Sequence, residues 1–187
     1  MPDNAQEQAV PFMHRDELER RAKNVLREHG LTSIPIDPVV LANRVGMSVR
    51  NAKFSDDTLV GMIAKRGPNV QLLVNQSDPP HRKRFTIAHE LGHHFLHLFE
   101  DGEFIDGEAD LDMFRGGKEA EDAASPSRRK EIQANMFAAA LLMPEDAVRD
   151  LWPEAESVPD MARKFNVSEA AMRNRLRALG LLDEQQV

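Results

Sequence analysis

The 187-residue chain has no cysteine, no tyrosine and no apolar run long enough to cross a membrane. The absence of cysteine excludes disulfide bonds and thiolate metal sites, and it is typical of a protein from a reducing compartment. Residues 1–10 are polar and lack the apolar core of a secretory signal. We therefore expect a cytoplasmic protein without a membrane segment, and we expect residues 1–12 to form a flexible leader.

Acidic side chains outnumber basic ones, and the formal net charge of −7 is unevenly distributed. Residues 100–122 include ten acidic and two basic side chains, whereas residues 158–182 include five basic and two acidic ones. The acidic stretch is expected to belong to a solvated loop over residues 100–126. An acidic chain is a poor general nucleic-acid binder, although such a loop is also suited to attract a basic partner.

The pattern of apolar residues predicts an α+β fold. Residues 15–29 follow a helical period, and Asp37-Pro38 is typical of the start of a short second helix. Three short strands are predicted at 47–54, 58–65 and 70–75, separated by turn residues, so a small antiparallel meander is expected. Two long helices follow, one around residues 85–98 and one over residues 128–142.

The most informative motif is the pentad His89-Glu90-Leu91-Gly92-His93 on the first long helix. Residues four apart share a helix face, so His89 and His93 can bind one Zn²⁺ while Glu90 acts beside it as a general base. A chance pentad on an ordinary helix is the alternative, and a third ligand decides between them. His97 lies about 12 Å along the helix from His89 and is too distant to share the ion. The further histidine of the metzincin motif is absent.

The remaining candidate for the third metal ligand is a glutamate on the second long helix, as in thermolysin-like enzymes. Glu131 is the best candidate, and Asn135 follows one turn later, where its amide can orient a ligand histidine. Small Ala134 and Ala138 would let the two helices approach closely. A solvated glutamate and a surface amide are the alternative interpretations. The arrangement predicts a zincin-like core of the gluzincin type, with Mn²⁺ or Fe²⁺ as alternatives to Zn²⁺.

Taken together, the pentad and residues 131–144 (EIQANMFAAALLMP) resemble the ImmA/IrrE family of bacterial and phage metallopeptidases. The family pattern is HELGH, a variable loop, and then E-x-x-A-N-x-F-A-x-x-L-L-M-P, and every fixed position is present. The resemblance extends from about residue 15 to residue 182. It implies that His89, His93 and Glu131 bind zinc and that Glu90 activates water. It also implies a substrate, an Xre/CI-like helix-turn-helix repressor encoded nearby, whose loss releases mobile-element or stress-response genes.

Two parts of a peptidase are not visible in the sequence. Many zincins stabilise the oxyanion with a tyrosine, and this chain has none, so His81, His94, His97 or an arginine are the alternatives. The predicted strand at 59–64 could pair with an extended substrate if it is an exposed edge.

The tail, residues 145–187, follows the peptidase domain predicted at 13–144 and has the pattern of a helix-turn-helix. Ser168 is placed to cap its second helix, on which Arg173 and Arg177 share one face. One such unit offers few phosphate contacts, so packing on the core or docking of a partner is favoured over DNA binding.

The alternatives to a peptidase are a DNA- or repressor-binding regulator with a structural zinc site, and a component of a toxin–antitoxin-like pair.

Overall fold

The structure of the protein is a computed structural model that describes residues 13–55, 59–66, 69–96, 102–107 and 126–183. The helices are α1 (Arg15–Glu28), α2 (Pro38–Arg44), α3 (Pro80–Leu96), α4 (Pro126–Leu142), α5 (Glu145–Leu151), α6 (Val158–Phe165) and α7 (Glu169–Ala178). A 3-10 turn, Trp152–Glu154, follows α5. The strands are β1 (Met47–Ala52), β2 (Leu59–Arg66), β3 (Asn69–Asn75) and β4 (Gly102–Gly107). The predicted α+β class is confirmed.

Local sequence sets several helix ends. Asp37 accepts a hydrogen bond from the Val39 N–H at 2.9 Å and caps α2. Ser168 caps α7 by accepting from the Ala171 N–H at 3.1 Å. Between α6 and α7, Asn166 has a φ of 53°, a left-handed conformation that asparagine tolerates and that ends α6.

The sheet order is β1-β3-β2-β4, and the predicted antiparallel meander is wrong for β1. β1 pairs with β3 in the parallel sense, with Met47 opposite Val70, whereas β2 and β3 are antiparallel. The physical reason lies in burial. β3 takes a central position because Leu72 and Val74 are almost fully buried, while most positions of β1 are partly or fully exposed, which suits an edge.

β4 lies within the segment that was expected to be a loop at 100–126. It is antiparallel to β2, and its central Phe104 and Ile105, between flanking acidic residues, suit a charged edge strand. Residues 108–125 of that segment lie outside the described residues, as does the leader at 1–12. Because β2 lies between β3 and β4, the expectation of an exposed edge at 59–64 is wrong. Among the described strands, β1 and β4 form the edges.

The hydrophobic core surrounds α3, which packs against the sheet and against α4, while α1 packs against α4. The sheet and both helices contribute side chains with no exposed surface to this core: Leu72, Leu91, Phe137 and Leu141. No helix in the described ranges has the length and apolar character needed to cross a bilayer. This packing buries most of α3, including the pentad.

The C-terminal helices contact the same core through buried polar contacts. The Arg175 side chain is 4% exposed, and its guanidinium forms a two-point ion pair with Glu19 of α1. Its Nε also donates to the Met143 carbonyl at the end of α4, at 2.9 Å. From α3, Arg84 donates to the Asn166 carbonyl at 3.0 Å. Arg175, which lies between Arg173 and Arg177 in the sequence, thus connects α7 to α1 and to the end of α4.

Candidate metal centre

The pentad lies in the interior of the protein. His89 has no exposed surface, Glu90 is 1% exposed and His93 is 6% exposed. Burying three polar side chains within five residues is costly unless each has a partner. Helix α4 supplies partners for both histidines, and the strands β2 and β3 also pack against α3.

Helix α4 approaches α3 at Gly92, the glycine of the pentad. A Cβ on Gly92 would lie 2.9 Å from the Ala134 carbonyl oxygen and 3.0 Å from the Ala134 Cα. Carbon atoms in ordinary contact are about 3.5–4.0 Å apart, so only glycine allows this approach of the two backbones. The sequence indicated Ala134 and Ala138 as the small residues of this close approach, but the part of Gly92 was not predicted. A glycine inside a helical pattern often has such a packing reason, so Gly92 could have been recognised from the sequence.

This crossing places Glu131 and Asn135, on either side of Ala134, against the two histidines. The Glu131 Oε2 lies 3.1 Å from the His89 Nε2 and 3.2 Å from the His93 Nε2. The two Nε2 atoms are 2.9 Å apart. The structure therefore brings the three predicted ligands together, and they form the one metal-compatible cluster of histidine and acidic groups found in the described part of the chain.

Asn135 fixes the orientation of the His89 ring. Its Oδ1 lies 2.8 Å from the His89 Nδ1, and both side chains are buried. Because an amide oxygen only accepts hydrogen bonds, the His89 Nδ1 carries the proton and donates it. The other ring nitrogen, Nε2, then faces Glu131 and His93, where it can bind a metal ion when it carries no proton. This is the arrangement by which metal-binding histidines are usually oriented.

The donor set fits a divalent transition-metal ion. A tetrahedral Zn²⁺ with bonds of 2.0–2.1 Å holds its ligand atoms about 3.3 Å apart, close to the separations of the three donor atoms. Lone pairs on two ring nitrogens and a carboxylate oxygen repel one another at such distances unless a proton or a cation lies among them. Two imidazoles and one carboxylate leave a fourth tetrahedral position for water. They also suit Mn²⁺ and Fe²⁺.

The electrostatics of Glu131 agree with this fit. Burial acts to raise the pKa of Glu131, but hydrogen bonds and charge from His89 and His93 outweigh it and lower the pKa from 4.5 to about 2. The carboxyl group is therefore ionised at neutral pH, the form in which it can bind a metal.

Strand β2 covers the pentad at Gly61. A Cβ on Gly61 would lie 2.5 Å from the Thr86 Cγ2 and 3.4 Å from the Glu90 Oε1. The strand also has an irregular register between Leu59 and Gly61, opposite β4. The role of Gly61 was not predicted, although a lone glycine inside a strand often marks a close backbone approach. Here that approach helps to bury the Glu90 carboxylate.

The other predicted residues lie elsewhere. Burial and the nearby Lys65 lower the pKa of His94, whose ring packs edge-on against Phe95 at a centroid distance of 5.1 Å. His97 lies outside the described residues, and the oxyanion donor stays a prediction. Arg173 and Arg177 are half-buried on α7, and their contact with nucleic acid or a partner also stays a prediction.

Two curated relatives are similar to part of the chain, and each is named a radiation response metalloprotease IrrE. The relative from Deinococcus radiodurans is 29% identical over 104 residues, which cover 54% of this chain and 28% of that protein. The relative from Deinococcus deserti is 35% identical over 101 residues, which cover 52% of this chain and 32% of that protein. The aligned region thus spans about a third or less of each relative.

A solved structure of a Mycobacterium tuberculosis transcriptional regulator has a similar fold, with a TM-score of 0.59 and 22% identity. The similarity covers 86% of this chain and 46% of that chain, and at this identity it concerns the fold alone. The model of a peptidase family described as the IrrE N-terminal-like domain matches residues 42–177 and so covers both ligand helices. The chain therefore belongs to the ImmA/IrrE family of metallopeptidases, as the pentad and the motif of residues 131–144 predicted.

Proposed function

We propose that the protein is a zinc-dependent endopeptidase. The observation that carries the proposal is the convergence of the His89 and His93 ring nitrogens and the Glu131 carboxylate within 3.2 Å of one another. These three residues would hold Zn²⁺, and Asn135 would keep the His89 ring in the required orientation. Bound zinc would supply Lewis-acid activation of a water molecule and of the scissile carbonyl.

Glu90 is the general base of the proposed reaction. Its position next to His89 in the pentad would place it beside a water bound at the ligand cluster, and its burial shields it from bulk solvent. The Glu90 carboxylate takes a proton from the attacking water as the new carbon–oxygen bond forms. It then returns that proton to the leaving amine as the peptide bond breaks. Among the described strands, an edge strand such as β4, rather than β2, would pair with an extended substrate.

The proposed substrate is a helix-turn-helix repressor of the Xre/CI-like type encoded nearby. Its cleavage would relieve repression of mobile-element or stress-response genes. Family membership supports a protein substrate, and the name of the two Deinococcus relatives supports a link to stress. The ten acidic residues within 100–122 also suit a basic, DNA-binding substrate.

The test is incubation of the zinc-loaded protein with that repressor, with fragments identified by mass spectrometry. Glu90→Gln is the matched control because it keeps the side-chain shape and removes the base. We expect one zinc per chain in both proteins and at least about a hundredfold slower cleavage by the variant.

Other outcomes would favour the alternatives. Equal cleavage by Glu90→Gln would contradict the assigned base. Binding of an uncut repressor by the wild-type protein would favour a regulator with a structural zinc site, or a toxin–antitoxin-like role. Loss of function in the double variant Arg173→Ala, Arg177→Ala, with zinc stoichiometry unchanged, would favour DNA binding.

A further inference from the structure

A cavity lies between α1, the connection at residues 31–36, and the junction of α4 and α5. Its volume is about 550 Å³, within the range of roughly 300–1,000 Å³ that is typical of small-molecule sites. Its apolar lining consists mainly of Leu26, Leu31, Ile34, Ile36, Ala140 and Ala147. Ala140 lies nine residues from Glu131, about 13 Å along α4. The cavity is therefore separate from the candidate metal centre.

Charged side chains surround this apolar lining, and several of them already form ion pairs. The pairs that involve lining residues are Lys23–Asp146, Glu19–Arg175, Glu145–Arg149 and Arg20–Glu17. The first pair has a nitrogen–oxygen distance of 2.5 Å and joins the two walls of the cavity, α1 and α5. Lys23, Glu19 and Glu145 thus each have an oppositely charged partner, whereas Arg20 shares the Glu17 carboxylate with Arg21. Each of these ion pairs reduces the attraction that the side chain offers to a ligand.

Arg27 differs from the other basic lining residues, Arg20 and Lys23, which form ion pairs. It is exposed in the last turn of α1, and its guanidinium donates to the neutral Asn24 Oδ1 at 3.2 Å. Within the described residues, no carboxylate forms an ion pair with it. Asp16 lines the opposite end of the cavity, eleven residues and about 16 Å along α1. The cavity thus has Arg27 at one end and Asp16 at the other, with apolar and ion-paired side chains between them.

We propose that this cavity binds an aliphatic monocarboxylate, with its chain on the apolar lining and its carboxylate on the Arg27 guanidinium. Arginine pairs with a carboxylate through two parallel hydrogen bonds, so it recognises this headgroup better than a neutral one. Asp16 opposes the reverse orientation by charge repulsion. The volume of this partly open cavity suits a small molecule rather than a protein surface. This site is independent of the proposed peptidase function.

The experiment is calorimetric titration of the full chain with hexanoate, octanoate and decanoate below their micelle-forming concentrations, and with decanol. We expect the Kd to fall about fourfold for each added methylene until the cavity is filled. Arg27→Gln should weaken decanoate binding about tenfold or more and leave decanol binding unchanged. Arg21→Gln is the matched control, because this arginine lies on the same helix but outside the lining.

A second variant, Ala147→Phe, fills the cavity from α5 and should abolish binding. Circular dichroism would establish that each variant keeps its fold. No decanoate binding at millimolar concentration would overturn the proposal. Binding that is independent of chain length, or equally tight in wild type and Arg27→Gln, would overturn it too. Decanol binding as tight as decanoate would refute recognition of the carboxylate by Arg27.

Discussion

The substitution Gly92→Ala tests whether the close crossing of α3 and α4 determines the ligand distances in the candidate metal centre. The added Cβ would lie 2.9 Å from the Ala134 carbonyl oxygen, whereas ordinary contacts begin near 3.4 Å. The obstacle is backbone, which cannot rotate away as a side chain can. The two helices must therefore separate by about 0.5 Å at the point where they face each other most closely.

Two opposing free energies determine the stability of Gly92→Ala. Alanine favours a helix interior over glycine by about 1 kcal/mol. Overpacking a close contact costs about 1–3 kcal/mol, and a backbone obstacle places this site in the upper half of that range. We expect a net loss of about 1–2 kcal/mol, which lowers the Tm of a chain of this size by about 2–8 °C.

Metal affinity should fall as well. Gly92 precedes His93 directly, and Ala134 lies between Glu131 and Asn135, so the separation moves ligands on one helix away from those on the other. Metal–ligand distances tolerate about 0.2 Å, less than the expected shift. We therefore expect zinc binding to weaken about tenfold or more.

Calorimetric melting and zinc titration against a competing chelator would measure both effects. Ala170→Gly, at an exposed position of α7, is the control for helix propensity. It should reduce stability by up to about 1 kcal/mol and leave zinc affinity unchanged. If Gly92→Ala had a raised Tm and wild-type zinc affinity, the inferred role of the crossing would be refuted.

Three further predictions concern contacts around the same core. Gly61→Ala should lower the Tm by a few degrees and slow cleavage at unchanged zinc stoichiometry, because its Cβ would overlap the Thr86 methyl group and push β2 away from α3. Normal melting and rates would contradict this. Asn135→Ala should weaken zinc binding about 10–100-fold in chelator competition, whereas Asn135→Asp, which still accepts from His89, should bind more tightly than the alanine variant. Arg175→Ala should reduce the urea-measured free energy of unfolding by about 3 kcal/mol, and a loss no larger than that of Arg173→Ala would refute a buried ion pair.

Local sequence predicted the features that depend on neighbours along the chain. Asp37 and Ser168 begin helices because their side chains cap nearby N–H groups, and those helices start where the sequence predicted. His89 and His93 share a face because a helix repeats every 3.6 residues. The spacing of Glu131 and Asn135 follows from the same geometry. Their roles in metal binding remain predictions, but the structure brings the three candidate ligands together.

Only the tertiary structure decided features that join distant parts of the chain. A strand pattern does not specify its partner, so the parallel pairing of β1 with β3 and the position of β4 beside β2 were not predicted. The contacts of Gly92 and Gly61 also depend on elements remote in sequence. The cavity beside Arg27 forms only when α1 and α5 pack together. The sequence alone determined which side chains could act together. The packing of remote elements decided the distances between them, because burial and strand pairing depend on the whole fold.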